Sequence, residues 1–206
     1  MYKTFILIIL LALTACRKPA PTASDYANID SAKDPIQVSY SGDPIIREVA
    51  KGTFTITPVA MYTLAGVMVS KRNYNSGWES ELSPMDFAMA WGDMADSDYD
   101  EFMSYRQNGR WYYWNYKAGS PVQNPYISTH TSNNHIIPAN DNVMLAAKSV
   151  DEGDEIILEG YLVNIKGTYK GQKVWWNTST SRSDKGNHSC EVFYVTKLKI
   201  DSDVFE

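Results

Sequence analysis

The stretch that most constrains the fold is residues 155–165, EIILEGYLVNI. It is dense in strand-forming residues, and Glu152-Gly153-Asp154 supplies a turn before it. A strand exposes unpaired backbone groups on both edges, so it needs partners. The chain offers several. Residues 53–57 alternate polar and apolar, the period of a half-buried strand. Residues 61–70 are apolar and β-branched, with Gly66 suggesting a bulge or bend. Residues 111–116 read as an aromatic strand, and 173–178 and 190–200 complete the set. Tyr169-Lys170-Gly171-Gln172 reads as a hairpin turn. Helical signals are few. Ser83-Pro84 resembles an N-cap with proline at the first position, which predicts a helix through Met85, Ala88 and Met89. A second short helix is expected over 97–106, and another turn over 142–149. The expectation is a mainly β fold with minor α: a small antiparallel barrel or sandwich with one or two inserted short helices.

The strands fall within 44–206, which reads as one domain. Residues 16–43 hold Pro, Ala, Ser and Asp with little apolar content, and read as a flexible tether. The formal net charge is −5, and Lys and Arg are scattered. This argues against a nucleic-acid partner, whose phosphates call for a basic stripe.

At the start of the chain, Lys3 precedes an uncharged apolar run from Phe5, closed by Leu13-Thr14-Ala15-Cys16. The run is shorter than the ~20 residues that span a bilayer. It reads as a secretory signal over 1–15, to be removed. Its ending resembles the bacterial lipobox. That resemblance implies cleavage before Cys16, a diacylglyceryl group on its thiol and an acylated (palmitate-type) N-terminus, hence a membrane partner through the lipid. Each buried CH2 contributes ~0.8 kcal/mol, so more than one acyl chain gives stable anchoring. The resemblance implies a bacterial cell-envelope lipoprotein. Arg17 stands where an aspartate would signal inner-membrane retention, which favours the outer membrane in a cell that has two.

With Cys16 committed to lipid, Cys190 has no intrachain partner and reads as a buried, inert thiol. Asp96, Asp98 and Asp100 have a calcium-loop look, but Glu101 and Gln107 stand where that loop needs Gly and Glu. They read as acidic residues at a helix start. His130 and His135 lie in what reads as a polar loop, and with His188 and Cys190 they are a poorly specified zinc set. No metal site and no cofactor is assigned. Trp111, Tyr112, Tyr113, Trp114 and Tyr116, with Trp175 and Trp176, offer stacking surfaces for a glycan, although a strand must turn some of them into the core.

The densest polar cluster is 176–191, which links two expected strands. Arg182 presents a planar fork to a carboxylate or phosphate, with Asp184 and Glu191 to orient it. Strand alternation sets Cys190 inward and Glu191 outward, beside the loop. Five pieces act as longer motifs: Ser83-Pro84-x-Asp86 before Trp91-Gly92; Arg110-Trp111-Tyr112; Asn134-His135-x-Ile137-Pro138; Gly153-Asp154 before Leu158-Glu159-Gly160-Tyr161-Leu162-Val163; and Thr178-Ser179-x-x-Arg182-x-Asp184-x-Gly186 before Cys190-Glu191. Together they resemble a group of bacterial envelope proteins of unassigned function. The resemblance supplies no reaction, and marks His135, Arg182, Asp184 and Glu191 as the candidate functional edge. The leading reading is a lipid-anchored binding or interaction module with a protein or glycan partner. The alternative is a hydrolase of an envelope polymer or phosphodiester using those four residues; no Gly-x-Ser-x-Gly elbow is present.

Overall fold

The computed structural model describes residues 17–22, 24–181 and 190–206. The signal segment, Cys16, Arg182, Asp184 and His188 lie outside the described residues. The fold is mainly β, as the strand pattern predicts, with one large mixed sheet and a small two-stranded one.

Strand β1 (Ile36–Ser39) and β2 (Ile45–Val49) both pair antiparallel with β3 (Gly52–Asn73), a strand of 22 residues. The sheet thus takes in residues 36–39, inside the segment expected as tether. Further upstream, Thr22 bridges to Val204, the Gly92 amide donates to Ser31 O at 2.7 Å, and Trp91 Nε1 donates to Asp34 at 3.1 Å. The register of β3 shifts between Pro58 and Ala60. Proline has no N–H to give to a ladder, and a bulge is where a strand tolerates it. Gly66 keeps register with Ile156, so it is not a bulge; a Cβ there would meet Ala90 O at 2.5 Å, so it marks close backbone approach.

The helix expected after Ser83-Pro84 is instead β4 (Met85–Ala90), buried at every residue. It lies between β3 and β7 (Thr131–Pro138). A short apolar run has no periodicity that separates a buried strand from a helix, and burial on both faces decides for the strand. Ser83 makes no cap: its hydroxyl donates to Met85 O at 3.3 Å. The second expected helix, 97–106, divides into a 3-10 turn, Ser97–Phe102, and β5 (Met103–Asn108). There Asp96 accepts from the Asp98 amide, the role of an acidic helix-start residue. Among the described residues, β5 pairs with β6 (Trp111–Tyr116) alone, forming the second sheet.

The four-residue helix α1 (Tyr126–Thr129) leads into β7. In β7, residues expected in a polar loop are part of a wholly buried strand. Its polar side chains are accommodated by bonds such as Asn134 Nδ2 to Phe87 O at 3.2 Å. Helix α2 (Asp141–Ser149) follows, as expected. Asn140 caps it, accepting from the Asn142 and Val143 amides, and Lys71 Nζ donates to Lys148 O and Val150 O at its other end. Burial lowers the pKa of that lysine.

Strand β8 (Glu155–Tyr169) turns at Lys170-Gly171, both at positive φ, into β9 (Gln172–Trp176). β10 (Glu191–Ile200) pairs antiparallel with β8 and with β11 (Asp203–Phe205), but parallel with β7. That parallel pair departs from the antiparallel expectation; the crossover through α2 and β8 returns the chain in the direction of β7. The ladders form a cycle: β3 to β4, β4 to β7, β7 to β10, β10 to β8, and β8 back to β3. The largest core cluster includes Tyr62, Leu64, Phe87, Leu158 and Phe193 from these strands, with Val143 and Ala146 of α2. Among the described residues, no helix is long and apolar enough to cross a membrane.

Candidate functional site

Side chains on β4 alternate. Met85, Phe87 and Met89 enter the main core, which sends Asp86 to the opposite face. His135 of β7 lies directly across from Asp86, so the two share that face. Asp86 is fully buried, and a buried carboxylate needs a partner. Arg110 provides it from the tip of the β5–β6 hairpin. The two-residue turn there has Gly109 at φ 58° and Arg110 at φ 71°, the signs of a type I′ turn.

Arg110 Nη1 lies 2.6 Å from Asp86 Oδ1, and Nη2 donates to Ser83 O at 2.7 Å. The guanidinium sits over the Tyr74 ring, 3.8 Å from its centroid, and 5.6 Å from the Trp176 centroid. Both contacts are in the range of cation–π attraction. The Arg110 amide donates to the Tyr74 hydroxyl at 3.1 Å. His135 Nδ1 is 2.9 Å from Asp86 Oδ1 but off hydrogen-bond alignment, and its ring lies 4.6 Å from that of Trp176. Burial, then the negative charge of Asp86, pushes the Tyr74 phenol up to about 12.

The hairpin covers this face with polar side chains. Gln107 Nε2 donates to Asn133 Oδ1 at 2.6 Å, and Asn133 Nδ2 donates to Arg110 O at 3.3 Å. Among the described residues, Gln107 Oε1 and Asp86 Oδ2 are buried without a hydrogen-bond partner. Near the hairpin base, Met103, Tyr105 and Trp114 pack on an apolar cluster that includes Ala90, Met94 and Ile127. The outward face is different: Trp111 and Tyr113 are each 40 % exposed, with Arg106 stacked 4.8 Å from the Tyr113 centroid.

Of the expected site residues, His135 belongs to this cluster. Glu191 does not. It is paired with Asn134, and Val192 with His135, so Glu191 and His135 face opposite sides of their strands. Glu191 is buried rather than directed outward, because its face is that of Phe193 in the main core. Cys190 is half-buried, and Asn133 Nδ2 approaches its sulfur at 3.9 Å. His130, expected in the same loop as His135, instead stacks on Tyr126 with ring centroids 3.7 Å apart. A cleft of about 650 Å³ beside α1 is lined by residues such as Asp93, Asn124 and Tyr126, not by the ionic cluster.

Sequence reasoning did not single out Tyr74 or Trp176 as partners of a charge, and ranked Asp86 and Arg110 only as parts of longer motifs. The available signal was that Ser83, Asp86, Arg110 and His135 all fall within the pieces that the sequence reads as longer motifs. Comparison of the chain with family models, with curated proteins and with solved structures finds no match.

Proposed function

We propose that this protein is a lipid-anchored binding module of the bacterial envelope, held through Cys16 and favouring the outer membrane where there are two, that takes a glycan. The observation that carries the reading is the outward face of the β5–β6 hairpin. Trp111 and Tyr113 alternate on one strand and point the same way, at a spacing of roughly 7 Å. Asn108 lies opposite Trp111 and Arg106 opposite Tyr113. Flat aromatic faces suit the apolar faces of sugar rings, and amide and guanidinium groups suit their hydroxyls.

The ladders of β3, β4, β7, β10 and β8 close a ring that carries the hairpin as an insertion between β4 and β7. The acidic balance of the chain favours the saccharide. The hydrolase alternative needs His135 and Glu191 in one cleft, and their opposed faces weigh against it.

The anchor is tested by Cys16→Ser. The variant should lose labelling by a fatty-acid probe and leave the membrane fraction; retained label and membrane partition would refute the lipobox. The module is tested by cosedimentation with purified peptidoglycan sacculi. Retention without release of soluble fragments fits binding; steady release of fragments would favour the hydrolase.

A further inference from the structure

We propose that Ser83, Asp86, Tyr74 and Trp176 form a guanidinium-recognition cage that Arg110 fills from within the chain, and that the β5–β6 hairpin is a displaceable cover. The ligand is the arginine side chain of a partner polypeptide. This goes beyond the glycan reading and does not depend on it.

The cage has each element that a guanidinium requires. A fully buried carboxylate faces one nitrogen at 2.6 Å, and a buried backbone carbonyl takes another at 2.7 Å. Tyr74 and Trp176 offer π faces to the cation. An ammonium cannot satisfy the carboxylate and carbonyl with a planar fork, so the site selects arginine over lysine. The Arg110 side chain keeps 18 % of its surface exposed while Asp86 beneath it is fully buried, so a competing group gains the cage only as Arg110 leaves it.

Three observations make Arg110 an occupant rather than a fixed part of the wall. Among the described residues, the hairpin that carries it forms its own two-stranded sheet, with no ladder to the main one. Arg110 adopts φ 71°, a left-handed conformation that disfavours a residue with a Cβ. The covered surface holds the buried Tyr112 phenol beside polar groups, and among the described residues Asp86 Oδ2 and Gln107 Oε1 find no hydrogen-bond partner there. Such atoms regain partners when the cover lifts, which lowers the opposition to opening. The apolar contacts of Met103 and Trp114 near the other end of the hairpin supply a base about which the tip swings.

The test is hydrogen exchange on the full chain with three peptides: acetyl-Gly-Arg-Gly-amide and its lysine and citrulline counterparts. A ligand that binds only the open form multiplies the open population by 1 + [L]/Kd, so at about four times its dissociation constant the arginine peptide raises it about fivefold. Exchange of β5 and β6 amides should then quicken about fivefold, with β3 and β8 unchanged. Citrulline, which has the shape without the charge, should do nothing, and lysine should do little. Arg110→Ala should bind the arginine peptide more tightly than the wild type, read as a change in tryptophan fluorescence that Trp176→Phe abolishes. Should Arg110→Ala fail to fold, Arg110→Lys keeps a cation at the tip and should still free the hairpin to exchange faster without peptide. Hairpin amides that stay as protected as those of β8 at saturating arginine peptide, or that respond equally to citrulline, would overturn the proposal.

Discussion

Replacing Asp86 with asparagine removes the negative charge at the centre of the cluster and almost nothing else. The side chain is fully buried, so no solvent replaces the lost interaction. Arg110 would keep its bond to Ser83 O but would stand beside a neutral amide. Breaking a buried ion pair from one side costs about 3–5 kcal/mol, because the other charge is left uncompensated. Arg110 is 18 % exposed and gains some hydration, which sets the expectation at the lower end, about 3 kcal/mol. For a chain of this size that is a fall in Tm of roughly 6–12 °C. Urea unfolding followed by fluorescence, with the midpoint and slope fitted together, measures it. Arg110→Met and the double variant complete a cycle in which the coupling should be about 1–3 kcal/mol. An Asp86→Asn protein within about 1 kcal/mol of wild type, with additive effects in the cycle, would refute the view that this pair holds the hairpin down.

Alkaline pH should loosen the same region. The Tyr74 phenol titrates near 12 in the fold against about 10 when unfolded, and burial also raises Tyr105 and Tyr112. A raised phenol contributes stability that is complete below pH 10 and lost as pH rises through 12, so unfolding should begin there, read by tyrosinate absorbance and circular dichroism together. Gly160→Ala should lose more than about 3 kcal/mol, since a Cβ there would lie 2.0 Å from Tyr194 O at φ +157°; a variant melting near wild type would contradict the register of β8 and β10. Asn140→Ala should cost about 1 kcal/mol in thermal melts by removing the cap that accepts from Asn142 and Val143.

The parts of the fold that local chemistry determines were legible in the sequence. Lys170-Gly171 makes the expected hairpin, 155–165 falls within β8, and 142–149 lies within α2, because turn residues, apolar runs and caps act over a few positions. Tertiary context decided the rest. Met85–Ala90 carries helix formers after a Ser-Pro start, yet ladders to β3 and β7 on both sides make it a strand. Residues 129–135 read as a loop because they are polar, yet 131–135 are buried in β7, where the β5–β6 hairpin and β4 supply partners. Of the ionic cluster, the sequence marked one residue, His135, as a site candidate, while Trp111 and Tyr113 were legible as stacking surfaces. Asp86 and Arg110 are 24 residues apart, and only the hairpin brings them together, so no spacing rule announces the pair.

The central claim, that the exposed face of the hairpin is a glycan platform, meets its most direct test in calorimetric titration of the full chain with soluble peptidoglycan fragments. Wild type should show saturable binding that weakens at least about tenfold, or roughly 1.4 kcal/mol, in Trp111→Ala and again in Tyr113→Ala. Both residues are 40 % exposed, so both variants should melt within a few degrees of wild type. Binding that survives the two substitutions unchanged, or a wild type that takes up no fragment at all, would contradict the account.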